Sequence, residues 1–388
     1  MKTLGLRSIE ASKKGSGHRM APFDELSIAV IAEDLGMPLD EGSKRIIFSI
    51  IREFMKKRIS VSIFTSHKNL DLGNVYQLPE NRFLVGASFR SNLRAQAPDI
   101  ILYMPASSGT VGAFIRATMI KMQSSSIPLC LLNTQYRELP AYTRYLRFDR
   151  YIDLVFTLSP ASTNILQSLG MKTILLSGGV DCDVFKPAGK QEKMLLRSKY
   201  GFQEKDQIVL HVGHGNRARN AAILARLIEF GFTVMLVFST TTPTDAGLLA
   251  DLRNSGVNVF DEYIDDIQDF YKMADCYVFP VSCSSSAIDI PLSVLEAMAC
   301  NLPVVTTRFG GLPAWFEPGK GIYYGSTDEE ILRLVKEAMK ENDCKTLEKV
   351  SCFSWENMAA TILEKFQEDR IQNEIKKTMI DGNHTKKV

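Results

Sequence analysis

Short, strongly apolar runs alternate along this chain with longer stretches in which apolar residues return at helical spacing. The runs at Ser27 to Ala32, Ile59 to Phe64, Ile100 to Tyr103, Pro128 to Leu132 and Leu154 to Leu158 read as the strands of one unit. Those at Ile208 to Val212, Thr233 to Phe238, Val257 to Phe260, Cys276 to Pro280 and Pro303 to Thr307 read as the strands of a second. Strands that are apolar throughout suit a parallel sheet covered on both faces, and the helical stretches between them supply the cover. The pattern predicts an α/β protein with two Rossmann-like parallel-sheet domains facing across a cleft. Ligands are then expected outside the carboxyl ends of the strands.

Ser177 to Lys190, SGGVDCDVFKPAGK, has the glycine and proline content of a linker. It places one domain at 27–180 and the other at 181–354, with a polar extension over 1–26 and a polar tail over 376–388. A length of 388 residues fits two domains of ordinary size, and 45% hydrophobic content allows a large core. With 46 basic and 44 acidic residues there is no global field for nucleic acid, so any anion site must be local. The seven cysteines form no close Cys-x-x-Cys pair, which points to reduced thiols in a cytoplasmic protein. The first residues lack the apolar core of a signal peptide, and no apolar run is long enough to span a bilayer.

The most informative stretch is Ile288 to Pro313, IDIPLSVLEAMACNLPVVTTRFGGLP. Leu292, Leu295, Met298 and Ala299 share a helical face, Asn301 tolerates a left-handed cap, and Pro303 forbids continuation. Glu296 has two readings: a carboxylate facing the cleft, or the far end of a capping box begun by Ser293. Elsewhere, Gly213-His214-Gly215-Asn216-Arg217-Ala218-Arg219 follows a strand and puts cations at a helix start, a natural anion site. Gly42-Ser43, with Lys44 and Arg45, opens the helix after the first strand. Tyr142, Arg144, Tyr145, Arg147, Phe148, Arg150 and Tyr151 form a basic and aromatic patch that packs between helices, or meets a peripheral membrane surface or an acidic acceptor.

In this order, from residue 27 to about 370, these segments resemble the family 4 (group 1) retaining glycosyltransferases of the GT-B fold. The resemblance rests on Leu295-Glu296-Ala297-Met298-Ala299, the Pro303-Val304-Val305 strand, the Gly310-Gly311 turn and the Gly179-Val180-Asp181 linker with Phe185 and Pro187. It also rests on Phe353-Ser354-Trp355-Glu356. In the family that last segment opens a helix, here about 355–375, that crosses back to complete the first domain.

The resemblance implies transfer of a sugar, with retention of anomeric configuration, from a nucleotide diphosphate sugar to an acceptor. That acceptor is left open among glycans, lipid-linked molecules and small molecules. Glu296 would hold the ribose hydroxyls. The diphosphate would lie on Arg219 with His214, Arg217 and the amides at Gly213, Gly42 and Ser43. Gln135 would face the transferred sugar and Tyr263 the base, while Ile290, Leu292 and Ser293 would line the donor pocket. The family's first glutamate falls at Ile288, so Asp289 is its candidate substitute. No cofactor beyond the donor and no metal are implied; Asp181-Cys182-Asp183 has the letters of a metal motif but lies in the linker. Because Ile288, His214 and Gln135 depart from the family pattern, a nucleotide-sugar-binding GT-B protein with lost or altered catalysis is the alternative.

Overall fold

A computed structural model describes residues 26–67, 70, 72–124 and 126–368; the expected extension before residue 26 and the tail over 376–388 lie outside them. The first lobe holds a parallel sheet of β1 (Ser27–Ala32), β2 (Ser60–Thr65), β3 (Asn74–Gln77), β4 (Ile100–Met104), β5 (Leu129–Asn133), β6 (Leu154–Thr157) and β7 (Thr173–Leu175). The second holds β8 (Ile208–Gly213), β9 (Thr233–Phe238), β10 (Asn258–Phe260), β11 (Cys276–Phe279), β12 (Val304–Thr306) and β13 (Ile322–Tyr324). Their spatial orders are β3-β2-β1-β4-β5-β6-β7 and β10-β9-β8-β11-β12-β13. The order therefore reverses beside β1 in one sheet and beside β8 in the other, the places where open parallel sheets leave a crevice.

All ten strand segments read from the apolar runs are present, with ends differing by no more than two residues. Strands β3, β7 and β13 were not foreseen: they are short sheet edges whose partial exposure leaves no continuous apolar run. The helix Gly42–Lys56 buries Ile46, Ile47, Ile50, Ile51 and Phe54, spaced to form one stripe against the sheet. The expected helix after Arg217 is instead a short 3-10 turn, Arg217–Arg219, a left-handed Asn220, and further 3-10 turns over Ala221–Phe230.

One apolar cluster runs through both lobes, joining Ile28 and Phe54 to Leu295, Met298 and Phe366. The helix over 355–368 lies against the first lobe, with Phe366 packed edge-on to Phe156 at 6.0 Å and Lys57 ion-paired to Glu356 at 3.2 Å. The glycine turn that follows β12 sits where backbones nearly touch. A Cβ on Gly311 would lie 2.2 Å from the Leu158 carbonyl oxygen of the first lobe, although its φ of −86° would suit any residue. Space alone demands glycine here. Gly311→Ala is expected to cost about 1–3 kcal/mol by overpacking, read as a lowered thermal midpoint; an unchanged midpoint would show that the lobes part without cost.

Candidate functional site

The cleft between the two sheets encloses about 390 Å³ and is walled by both lobes. From the second lobe, the end of β8 contributes Gly213, His214 and Arg219. Arg219 is 7% exposed, has no ion-pair partner among the described residues, and its Nε is without a hydrogen bond. Burial pulls its pKa down to about 10, with Tyr277 and Glu41 opposing. His211 Nδ1–H donates to the Val278 carbonyl at 2.9 Å, leaving the Nε2 lone pair unpartnered beneath Gly213. His214 Nδ1 and Asn216 Oδ1 are likewise buried and unpartnered. Burial holds both histidines down at about 4, the backbone bond to Val278 offsetting part of the effect for His211. Four buried polar atoms around the end of β8 thus lack a hydrogen-bond partner among the described residues, and of their residues His214 and Arg219 line the cleft.

Opposite this turn the first lobe presents Gly42, Ser43 and Glu41 at a helix start. A Cβ on Gly42 would meet Ile288 Cδ1 at 2.8 Å, so glycine permits the helix end to approach the loop before Pro291. The Glu41 carboxyl has its pKa raised by burial, with Asp34 and Asp40 adding to the effect and Lys44 and Arg219 opposing it.

Glu296 lies at the base of the cleft, 7% exposed, on the helix Leu292–Ala299. Its Oε1 accepts from Arg45 Nη1 at 3.1 Å and its Oε2 from the Tyr271 hydroxyl at 2.7 Å. The capping box does not form: the helix begins at Leu292, no side chain caps it, and Ser293 lies inside the first turn. Burial, then the Glu296 charge, raises the Tyr271 phenol well above its usual value, keeping it a donor. Each carboxylate oxygen retains one lone pair for a further donor.

Of the other sequence candidates, Gln135, Leu292, Ser293 and the half-exposed Tyr263 line the cleft. Gln135 is not free: its amide donates to the Ala287 carbonyl at 2.8 Å and accepts from Arg137 at 2.9 Å. Three candidates lie elsewhere. Asp289 is 1% exposed and accepts from the Ser159 hydroxyl, the Ser162 hydroxyl at 2.6 Å and the Tyr136 N–H at 2.6 Å, so it joins the lobes instead of facing the cleft. Ile290 is fully buried against Gly178 and Gly311. Arg217 turns outward to Asp245 at 3.4 Å and Asp251 at 3.6 Å.

Residues missed in the sequence include His211, Tyr271, Arg137 and Asp40. Asp40 accepts from Ser239 at 2.9 Å and from the Thr240 and Thr241 amides at 2.8 and 3.1 Å, a second inter-lobe tie. Burial would raise its pKa, but a bond from the Thr241 hydroxyl together with these brings it below the usual carboxylate value. Lone acids and histidines in a sequence carry no signal of such partners. Among the described residues no group of three or more His, Cys, Asp or Glu side chains converges as a metal cluster would.

The architecture matches known structures over most of its length. The Anabaena Alr3699/HepE protein in complex with UDP superposes with a TM-score of 0.71 at 15% identity, covering 88% of this chain and all of the other. The chain has the GT-B fold. Within its second lobe, residues 217–340 match the family described as Glycosyl transferases group 1. Curated relatives include a sulfoquinovosyl transferase of Arabidopsis thaliana, 29% identical over 232 residues, which cover 56% of this chain and 44% of the relative. The spore coat protein SA of Bacillus subtilis is 26% identical over 240 residues, 54% of this chain and 62% of the relative. The matches thus span less than two thirds of either relative. Among the described residues no helix is long and apolar enough to cross a membrane.

Proposed function

We propose that this GT-B protein is a glycosyltransferase that takes its sugar from a nucleotide diphosphate sugar bound in the cleft. The observation that carries the reading is the turn after β8, where Arg219 is buried with no ion-pair partner among the described residues, beside the buried His214 Nδ1 and Asn216 Oδ1 that have no hydrogen-bond partner among them either. A buried cation without a partner is costly, and a diphosphate would supply the missing charge and acceptors. The start of the helix at Gly42 and Ser43 faces the same space and adds N–H groups and a favourable dipole.

In this reading Glu296 receives the ribose hydroxyls on its free lone pairs, with Arg45 and Tyr271 holding the carboxylate in place. Tyr263 lies against the base. As the bond between the anomeric carbon and the diphosphate breaks, Arg219 and the helix start stabilise the charge on the leaving group. The acceptor enters from the first lobe beside Gln135 and Arg137, and its hydroxyl oxygen bonds the anomeric carbon on the face that the diphosphate leaves, which is retention, while its proton passes to the departing diphosphate oxygen. The glycosyl transferase match over 217–340 and the UDP held by a structural neighbour support the donor class. A binder without turnover is the second reading, favoured by the tethered Gln135 amide and by Ile288 lining the cleft.

Thermal shift with UDP tests the donor site, because ligand at about 100 times its dissociation constant adds about 2.7 kcal/mol of apparent stability. Glu296→Gln is expected to weaken UDP binding by about 10-fold or more through lost charge-assisted bonds to the ribose. A wild-type shift in that variant would remove the ribose role. Release of nucleoside diphosphate only when acceptor is present separates transferase from binder.

A further inference from the structure

The segment after Arg137 leaves the cleft wall and forms two tight turns, Ala141–Tyr145 and Phe148–Arg150. Thr143, 2% exposed, and Phe148, packed on Phe114 at 5.4 Å, pin the segment to the first lobe. Backbone bonds from Thr143 N–H to the Pro140 carbonyl at 2.9 Å and from Leu146 N–H to the Thr143 carbonyl at 3.1 Å keep its shape. With those residues turned inward, Tyr142, Tyr145 and Leu146 are left 55%, 71% and 42% exposed. Three large apolar side chains stand out within five consecutive positions. The Arg144 guanidinium lies 4.9 Å from the Tyr145 ring centroid, and Arg144, Arg147 and Arg150 are all exposed. Asp149 is answered by Arg147 at 2.9 Å, so the charge left over at this corner is positive.

We propose that this corner docks on an anionic lipid bilayer. Charge complementarity selects that occupant: tyrosine rings and a leucine suit the headgroup boundary, while free guanidiniums suit its phosphates. A rigid corner also loses little conformational freedom on docking. Tyr142 is five residues from Arg137 in the cleft wall, hence within about 17 Å of it. If the donor reading holds, the cleft opens beside the membrane and its acceptor is a lipid-anchored molecule. The membrane contact itself does not depend on that reading.

The test is co-sedimentation of the full chain with phosphatidylcholine vesicles, with and without phosphatidylglycerol. The wild-type protein should pellet with the anionic vesicles, less so as salt rises. Arg144→Gln with Arg150→Gln should lower partitioning about 25-fold, at about 5-fold per arginine. Tyr142→Ser, Tyr145→Ser and Leu146→Ser together should abolish it. Unchanged thermal midpoints and an unchanged UDP shift serve as folding controls, and they keep failure of the surface distinct from failure of the donor site. Equal binding to neutral vesicles, or wild-type binding by either variant, overturns the proposal. So does capture of polyglutamate with no vesicle binding, the mark of an acidic protein partner.

Discussion

Arg219→Met should weaken binding of UDP by at least about 100-fold while raising the thermal midpoint of the ligand-free protein. The two effects have one origin. Arg219 is 7% exposed and has no ion-pair partner among the described residues, and its pKa is pulled down to about 10 chiefly by burial, so keeping it charged costs on the order of 3 kcal/mol. Methionine retains the unbranched bulk and removes that charge, a change that buried sites commonly tolerate or welcome. A bound diphosphate, by contrast, would lose two charge-assisted bonds worth about 1.5–3 kcal/mol each. Calorimetric titration and a melting curve on the same preparation read both quantities. A lower midpoint with unchanged UDP affinity would make Arg219 a structural residue and end the case for an anion site.

Acidification should be the second large effect. His211 and His214 are held near 4 in the folded chain, against 6.5 as their ordinary value, and burial is the main cause for both. Between those values the unfolded chain binds protons that the folded one refuses, so stability is full above about pH 6.5 and falls as pH drops towards 4. Each histidine contributes a slope of up to about 1.4 kcal/mol per pH unit, or about 3 kcal/mol over the window. His211→Gln, which keeps a donor for Val278, should remove about half of the acid-induced loss. UDP should reduce it too, because a diphosphate beside His214 favours the protonated ring. A midpoint independent of pH across the window would mean that neither ring is sealed from water.

The strands were legible because a central parallel strand must be apolar on both faces, whereas β3, β7 and β13 sit at edges and carry no such run. Side-chain direction was harder to read. Ile288 lines the cleft while its neighbour Asp289 points into the first lobe, as adjacent residues in extended chain do, so a one-place shift of the family glutamate sends the carboxylate away. Arg217 and Arg219 separate likewise, because residues two apart in a tight helical turn do not share a face. Glu296 could be picked out as a cleft acid. Its partner Arg45 could not, since the two are 251 positions apart and only the packing of the lobes brings them together.

The chain passes between the lobes twice, and the two passages run side by side. Val180 forms a parallel bridge with Ser354, and its N–H donates to the Phe353 carbonyl at 2.8 Å. Two coupled crossings of this kind would let the lobes swing about one axis and would resist sliding. Points near such an axis travel through small arcs. Arg45 and Glu296 share a crevice of about 270 Å³ with Gly179, Val180 and Trp355, so opening the mouth would leave that pair nearly still while the distant rim parts.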